Sequence, residues 1–570
     1  MTTSLTVTPQ DLPLACLYRW ERERADQVYL SQPMGEGEIL DITWGQAADQ
    51  VRRMATWLQA QGWPAGSRVA IIGKNSAHWL LADLAIFMAG HVSVPVYPTF
   101  HAEALDFILA HSEAKAAFIG KLDGIGSLKG CLASGLPLIT LPLAPTLPAL
   151  QWTDLVGATA PLQGDFCPAA ETLATVMYTS GTTGQPKGVM HSFGALAFSV
   201  SSALLRVPMF GTDRMLSYLP LAHIAERILI EQAALRIGAH LFFAESQDTF
   251  ILDVQRARPT VFFSVPRLWL KFQQGVHAKL PPPLLKVLVH LPLLGSLVRR
   301  KVLQGLGLDQ CRLAAGGAAP MPTELLGWYH RLGLDLIEVY GMTEMCGASH
   351  STMPGAFEVG SVGLVADGFA CRIAPDNGEI QVRAPCLTSG YFKQPELTAA
   401  MMTEDGWMRT GDKGQIDATG RLRITGRVKD LFKTSKGKYV APAPIEDLLT
   451  QHPDVEACVV TGANFSQPFA LLLLSAAAME RSRSDAGHKV LEASLLTLLQ
   501  TVNAQLDAHE RLDMLVVVAD TWTAENGMVT PTLKVKRARI EETYAVRYTR
   551  WLDHRRPVVW AHPIDAHQTH

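Results

Sequence analysis

The sequence predicts a layered α/β protein: a large N-terminal body built on a mostly parallel sheet, followed by a smaller α+β unit. Three observations carry this reading. Through the first 340 residues, short β-branched or apolar runs alternate with helical ones, the pattern of βα units. From about Gly360 the texture changes to short strands punctuated by glycine. A composition of 48% hydrophobic and 18% charged residues over 570 positions supplies core for two large units or roughly four of about 150 residues, and excludes a small module or a disordered chain.

Taken in order, the apolar and β-branched runs place strands at Arg68 to Ile72, Val92 to Val96 and Ala116 to Ile119, with helices at Ala77 to Met88 and Ala102 to Ala110. The alternation resumes at Leu173 to Tyr178. It continues through Met215 to Leu219, His240 to Phe243, Thr260 to Ser264, Arg312 to Ala315 and Leu336 to Tyr340. Repeated βα units of this kind build a parallel, layered sheet. Beyond the change of texture, Gly378 to Arg383 and Arg421 to Thr425 read as strands. After Gly426, Ala457 to Thr461, Phe469 to Leu474 and Met514 to Val518 are strand-like around a helix at Val490 to Leu506.

Fifty Lys and Arg against 53 Asp and Glu leave a net charge of -3, so no overall basic field exists to hold nucleic acid and any anion site must be local. The eight cysteines are too sparse for a disulfide framework and show no CxxC spacing, which suits a reducing, cytoplasmic compartment. No basic leader precedes an apolar run at the N-terminus, and no run of 18 apolar residues occurs. The nearest approach is Lys271 to Lys301, leucine-rich with six basic and no acidic residues. It fits two descriptions, an interfacial segment making peripheral contact with the inner membrane surface, or a core-facing helix with a solvated basic rim.

The sharpest local signal is YTSGTTGQPKGV, Tyr178 to Val189, directly after a predicted strand. Consecutive glycines let several backbone N–H groups point into one concavity, and the hydroxyls of Thr179, Ser180, Thr182 and Thr183 add donors, so such a loop holds phosphate. It is not a Walker A loop, because Lys187 is preceded by Pro186 and followed by Gly188 rather than sitting in Gly-Lys-Ser/Thr.

At these residues the chain resembles the adenylate-forming superfamily of acyl-CoA synthetases, luciferases and peptide-synthetase adenylation domains. Six further motifs follow in family order: LSYLPLAHIAER (Leu216 to Arg227), AAGGAAP (Ala314 to Pro320), VYGMTE (Val339 to Glu344), DGWMRTGD (Asp405 to Asp412), GRVKD (Gly426 to Asp430) and NGMVTPTLKVKR (Asn526 to Arg537). The resemblance implies that ATP converts a carboxylate to an acyl-adenylate with loss of pyrophosphate, and that a thiolate then displaces AMP. It also implies site roles. Thr179, Ser180, Gly181, Thr182 and Thr183, with Gly184 and Lys187, cradle the β- and γ-phosphates. Thr343 contacts the α-phosphate and Glu344 holds Mg²⁺. Tyr340 stacks on adenine against Gly316, Gly317 and Ala318, Asp412 takes the ribose hydroxyls, and Arg427 contacts ribose or phosphate. Lys534 is the catalytic lysine by its spacing from Thr532, with Lys536 the alternative, and a solvated basic strand edge describes the cluster equally well.

Arg421 to Lys438 is a second basic run with seven Lys or Arg against one Asp. By resemblance it contains the hinge at Lys429 and, at Gly437, the glycine that lets the pantetheine of CoA pass. The implied organisation is 1–425 for the AMP-binding body, 426–430 for the hinge, 431–545 for a mobile C-terminal domain and 546–570 for a tail. PLAHIAER, VFFSVPRLWLKF (Val261 to Phe272) and TPTLKVKR resemble long-chain acyl-CoA synthetases, implying a long- or medium-chain fatty acid with ATP and CoA as the other substrates. His223 corresponds to a residue beside the reacting carboxylate, or is a satisfied core histidine. Leu221, Val265, Trp269 and Met342 are candidate pocket walls or simply core. Met345-Cys346 and Ala384 depart from the family pattern. Other readings are a fatty acyl-AMP ligase or β-lactone synthetase with another acceptor, and a non-enzymatic acyl-lipid binding or transport protein.

Overall fold

The β-branched runs become strands where the sequence places them. The structure, a computed structural model, describes residues 5–133, 135–180, 185–292, 294–317, 319, 321–355, 360–523, 526–530 and 534–561. The chain divides into two compact units, the first comprising Met1–Arg372, Gln381–Arg409 and Asp417–Leu422, the second Ile373–Ile380, Thr410–Ile416 and Arg423–His570.

The first unit carries two large sheets. One has seven strands in the order Leu150–Gln151, Leu138–Thr140, Ala116–Ile119, Arg68–Ile72, Val92–Val96, Leu173–Ser180 and Pro186–Ser192, parallel except for the last pair. The other has nine, in the order Leu364–Val365, Gly347–Ser351, Leu336–Met342, Leu313–Gly317, Val261–Ser264, Arg214–Ser217, His240–Phe243, Val28–Gly35 and Glu38–Thr43. Its centre is parallel and each end is closed by antiparallel partners. Val28–Gly35 and Glu38–Thr43 escape the sequence reading, which begins its strands at Arg68. The helix Ala77–Met88 starts where the Ser76 hydroxyl accepts the Trp79 N–H, and it is buried along its whole length.

Polar groups are sealed between the elements of these two sheets. Arg227, fully buried, meets the Asp83 carboxylate of the helix Ala77–Met88 at 2.8 and 2.7 Å and lies 3.6 Å from Glu231. It opens a π-helical turn, Arg227–Gln232, that follows His223 to Glu226. Glu226 is also fully buried, and its Oε1 accepts from Ser217 Oγ (2.8 Å), Tyr218 N (2.9 Å) and Asn75 Nδ2 (3.2 Å).

The second unit has a four-stranded sheet, Val455–Thr461, Phe469–Leu474, Leu515–Val517 and Val558–Trp560. One face packs the helices Pro442–Leu449 and Asp485–Asn503 through Ile445, Leu449, Leu491, Leu495 and Leu499. The other face packs Ile540, Tyr544, Tyr548 and Trp551. The helix expected at Val490 to Leu506 starts earlier because Ser484 caps it, accepting the Gly487 N–H. Within the expected tail, Tyr548–Asp553 is helical and Val558–Trp560 pairs with Leu515–Val517, because Tyr548, Trp551, Val558 and Val559 are buried side chains rather than solvated ones. Residues 370–427 form a further sheet in the order Ala370–Ile373, Glu379–Arg383, Met408–Ile416 and Leu422–Arg427. No helix among the described residues is long and apolar enough to cross a membrane.

Burial pushes the Glu226 carboxyl from 4.5 up to about 8, against the opposing hydrogen bonds from Ser217 and Tyr218. Between those values the folded protein holds a proton that the unfolded chain has lost, so this group makes stability decline as pH rises through that window. Glu226→Gln keeps an acceptor for the three donors and cannot ionise. Denaturant melts of the variant from pH 5 to 8 are expected to show a flatter pH dependence than the parent, and parallel curves would contradict the assignment.

Candidate active site

The ends of both large sheets converge on one cluster in the first unit. Leu173–Ser180 and Pro186–Ser192 are antiparallel, with Tyr178 opposite Gly188 and Thr179 opposite Lys187, so the phosphate-loop motif is the tip of a β-hairpin rather than a strand-to-helix loop. Gly181, Thr182, Thr183 and Gly184, at that tip, lie outside the described residues. The segment 388–392 runs along the hairpin's outer edge through Met190 N–H to Gly390 O (3.1 Å) and Phe392 N–H to Gly188 O (2.7 Å). It delivers Tyr391, whose ring faces Lys187 Nζ at 5.5 Å and whose hydroxyl donates to Glu344 Oε1 at 2.8 Å.

Glu344 belongs to the 3-10 turn Thr343–Met345 that ends the strand Leu336–Met342. The turn is fixed from behind by His191 Nε2, which donates to Thr343 O at 2.7 Å. Burial pushes His191 down to about 4, so it is neutral and serves as a fixed donor. Cys346 leaves the turn at φ 59°, and its carbonyl accepts the Ser199 hydroxyl at 2.6 Å. Thr343, Glu344 and Lys187 are thus brought together. Tyr391 is a member that no motif announces.

Tyr340 lies on the same strand, largely buried, with its ring 6.0 Å from His350. Beside it the strand Leu313–Gly317 ends in two glycines. A Cβ on Gly317 would stand 2.7 Å from Val339 O, and one on Gly316 would stand 3.1 Å from Met321 Sδ. Ala318 lies outside the described residues. His223 caps the short helix Ile224–Glu226, its Nδ1 accepting the Ala225 N–H at 3.2 Å, which leaves the proton of the neutral ring on Nε2.

A cavity of about 70 Å³, lined mainly by apolar side chains, opens beneath this cluster. One wall is the nine-stranded sheet: Val261 opposite Leu313, Phe263 opposite Ala315, with Phe262 between them, and Ile337 and Val339 on the next strand. Ala348 continues it beyond the Thr343–Met345 turn. The facing wall comes from Ser199 and Ala203 of the helix Phe193–Arg206 and from Ile228 and Leu229 of the π turn. Arg206, whose guanidinium donates to Ser351 O at 3.1 Å, is the charged group among the described lining residues. Leu221, Val265, Trp269 and Met342, expected as walls or as core, do not line it. Trp269 packs with Ala314 and Leu336, which alternate with the lining residues Ala315 and Ile337 and so lie on the opposite face of the sheet, and with Phe262, which also reaches the pocket.

In the second unit, Asp412 and Arg427 form an ion pair at 3.1 Å on adjacent strands. The Asp412 N–H donates to Thr410 Oγ1 at 3.1 Å, and Gly411 N–H to Glu379 Oε1 at 2.9 Å. Lys429 is exposed just after the strand Leu422–Arg427. Gly437, at φ 79°, turns the hairpin of Phe432–Lys433 and Tyr439–Val440, where a side chain would be strained. Lys534 is exposed, and its carbonyl accepts the Thr530 N–H at 2.7 Å. Two of its basic neighbours are engaged in structure. Arg537 reaches Glu446 and Val460 O at 2.5 and 2.6 Å, and Arg539 pairs with Glu542 at 3.0 Å, while Lys536 stands at the N-cap position of the helix Arg537–Tyr544 without a side-chain cap.

The hairpin leaves no room at Gly188, where a Cβ would stand 2.7 Å from Val176 Cγ1 and 3.1 Å from Tyr178 Cζ. Gly188→Ala is expected to destabilise by about 1–3 kcal/mol and to weaken nucleotide binding, measured by thermal melts and titration calorimetry. Unchanged binding would separate the hairpin from the nucleotide.

Residues 17–392 match the AMP-binding enzyme family and residues 429–549 match the AMP-binding enzyme C-terminal domain. The chain is 32% identical to a long-chain-fatty-acid–CoA ligase of Mycobacterium bovis, over 95% of this chain and 97% of that protein. It is 31% identical to the peroxisomal long chain acyl-CoA synthetase 6 of Arabidopsis thaliana, over 90% and 82%. The fold is similar to that of the adenylation domain of a carboxylate reductase from Mycobacterium chelonae, with a TM-score of 0.79, 21% identity and 95% and 91% coverage. With both domain models matched in order and a glycine-bounded hairpin facing Thr343 and Glu344, the chain belongs to the AMP-binding, adenylate-forming enzyme family.

Proposed function

We infer that this protein is an ATP-dependent long-chain fatty acyl-CoA ligase, an acid–thiol ligase. The observation that carries the reading is the apolar pocket whose walls, Val339 and Ala348, lie on the two strands joined by the Thr343–Met345 turn. An acyl chain lying against Phe263, Ala315 and Val339 would present its carboxylate at the turn that carries Thr343. The names of the relatives, a long-chain-fatty-acid–CoA ligase and a long chain acyl-CoA synthetase, agree with an apolar occupant.

In the first step a carboxylate oxygen attacks the α-phosphorus of ATP and pyrophosphate leaves. In the second, the CoA sulfur attacks the acyl carbon and AMP leaves. Both steps are positioning and charge neutralisation. Glu344 fits a magnesium ligand, because Tyr391 holds Oε1 and Oε2 makes no hydrogen bond among the described residues. One carboxylate beside a polyphosphate is the donor set Mg²⁺ accepts, and the ion neutralises phosphate charge there. Lys187 and the loop 179–184 hold the β- and γ-phosphates, with Tyr340, Gly316, Gly317 and Ala318 around the adenine. His223, through Nε2–H, is a donor for the carboxylate. Asp412 and Arg427 take the ribose.

Lys534 is the lysine of the adenylation step. Arg537 and Arg539 are held in ion pairs with Glu446 and Glu542, and the spacing from Thr532 favours Lys534 over Lys536. Lys429, in 426–430, is the pivot on which the second unit moves between half-reactions, and Gly437 keeps the pantetheine path clear. Eight cysteines with no disulfide among the described residues support a reducing cytoplasm.

The test is pyrophosphate release across acyl chain lengths, with and without CoA. Turnover is expected to require a long-chain acid and CoA. Lys534→Ala is expected to lose adenylation on the order of 10²–10³-fold while still transferring the acyl group from supplied acyl-AMP to CoA. Undiminished adenylation would remove Lys534 from the step, and multiple turnover without CoA would favour an acyl-AMP ligase.

A further inference from the structure

The segment with the strangest surface lies on the first unit. Residues 266–306 form three helices, Pro266–Lys279, Pro282–Leu288 and Leu294–Leu306. The last two are anchored by Leu285, Val289 and Leu306, buried against Trp269, Phe272 and Leu325, with Val298 and Val302 packed beside them. Their other faces are apolar yet uncovered. Leu284 is 50% exposed, Val287 61%, Leu294 55% and Leu297 58%, and Leu291 in the connection is 38% exposed. The spacing is three within each helix, so each pair shares one face. Leucines with half or more of their surface in water do nothing for the core, and a contiguous set marks an interaction surface.

The charge around the patch identifies what covers it. Residues 254 to 308 contain nine Lys or Arg and no Asp or Glu, in a chain whose net charge is -3. Lys279, Lys286, Arg300 and Lys301 are exposed and form no ion pair among the described residues. Lys301 follows Leu297 by four positions and Lys286 adjoins Val287, so the cations rim the leucines. A protein partner buries apolar surface without needing a one-signed rim, and a second copy docked by two-fold symmetry would set basic rim against basic rim. An anionic bilayer satisfies both parts, taking the leucines into the acyl boundary and the cations at the headgroups.

We propose that the helices Pro282–Leu288 and Leu294–Leu306 dock the protein reversibly on an anionic lipid surface through Leu284, Val287, Leu294 and Leu297, with Lys286, Arg300 and Lys301 at the headgroups. This stands independently of the ligase reading, since it uses no residue of the pocket or the nucleotide cluster. It also gives an enzyme for membrane-partitioned acids direct access to its substrate.

The experiment is co-sedimentation of the full chain with phosphatidylcholine vesicles and with mixed phosphatidylcholine–phosphatidylserine vesicles, at low and high salt. Wild type is expected to bind the mixed vesicles, weakly when salt is raised and weakly to phosphatidylcholine alone. Arg300→Gln with Lys301→Gln should lower partitioning on the order of fivefold per charge removed. Leu284→Ser with Leu297→Ser should lower it further, and thermal melts matching wild type should accompany both because the positions are exposed. Equal binding of wild type to both vesicle types, or variants that bind as wild type does, would overturn the proposal. So would a concentration-dependent dimer that the leucine variant abolishes without any change in vesicle binding.

Discussion

The first unit depends on a guanidinium sealed where water cannot reach it. Arg227 is fully buried, engaged by both oxygens of Asp83 and flanked by Glu231, with its plane over the rings of Trp79 and Phe87. Burying such a group costs several kcal/mol per ion, and its return is definition of structure more than stability. Asp83 comes from a helix following the strand Arg68–Ile72, whereas Arg227 follows the strand Arg214–Ser217 of the other sheet. The pair therefore fixes one layer against the other. It also fixes the segment on which His223 sits before it and Ile228 and Leu229 line the pocket after it. The π turn lets successive residues serve the ion pair and the pocket at once.

From that frame the chemistry follows as a problem of local charge. The body is close to neutral, yet its substrates are a polyphosphate, a carboxylate and CoA. Cations and donors are accordingly few and held by neighbours: Lys187 beside Tyr391, the Thr343 turn behind neutral His191, Arg427 against Asp412. A neutral buried histidine is a better brace than a charged one, because it donates a hydrogen bond without adding charge beside the phosphates.

Much of this was legible in the sequence because it depends on short-range order. Strands at Arg68–Ile72, Val92–Val96, Ala116–Ile119 and His240–Phe243 and the helix Ala77–Met88 coincide with their expected bounds, each being a β-branched or apolar run with clear ends. Glycine motifs pointed to Gly316 and Gly317, and at Gly317 a Cβ would run into the Val339 carbonyl. What was not legible depends on which distant segments meet. Tyr391 and His191 carry no local signature, and they matter only because residues 388–392 run along the hairpin. Glu226 and Arg227 stood inside a recognised motif, but their burial could not be read without distant partners, Asn75 for Glu226 and, 144 residues before Arg227, Asp83. Of the two descriptions of Leu221, Val265, Trp269 and Met342, wall or core, the burial of Trp269 fits core. Trp269 is apolar and near the right strands, yet it packs with Ala314 and Leu336, which alternation puts on the other face from Ala315 and Ile337. The edge strand Val558–Trp560 was hidden by the charged, proline-bearing residues before it.

The central claim is that one pocket, between the helix Phe193–Arg206 and the sheet face of Phe263, Ala315 and Val339, receives the acyl chain whose carboxylate is activated at the Thr343 turn. A crystal structure with a non-hydrolysable long-chain acyl-adenylate analogue tests this most directly. The account predicts the phosphate at Thr343 and the chain between Ala348, Val339 and Ile228. A chain threaded instead past Trp269 on the opposite face of the sheet would contradict it.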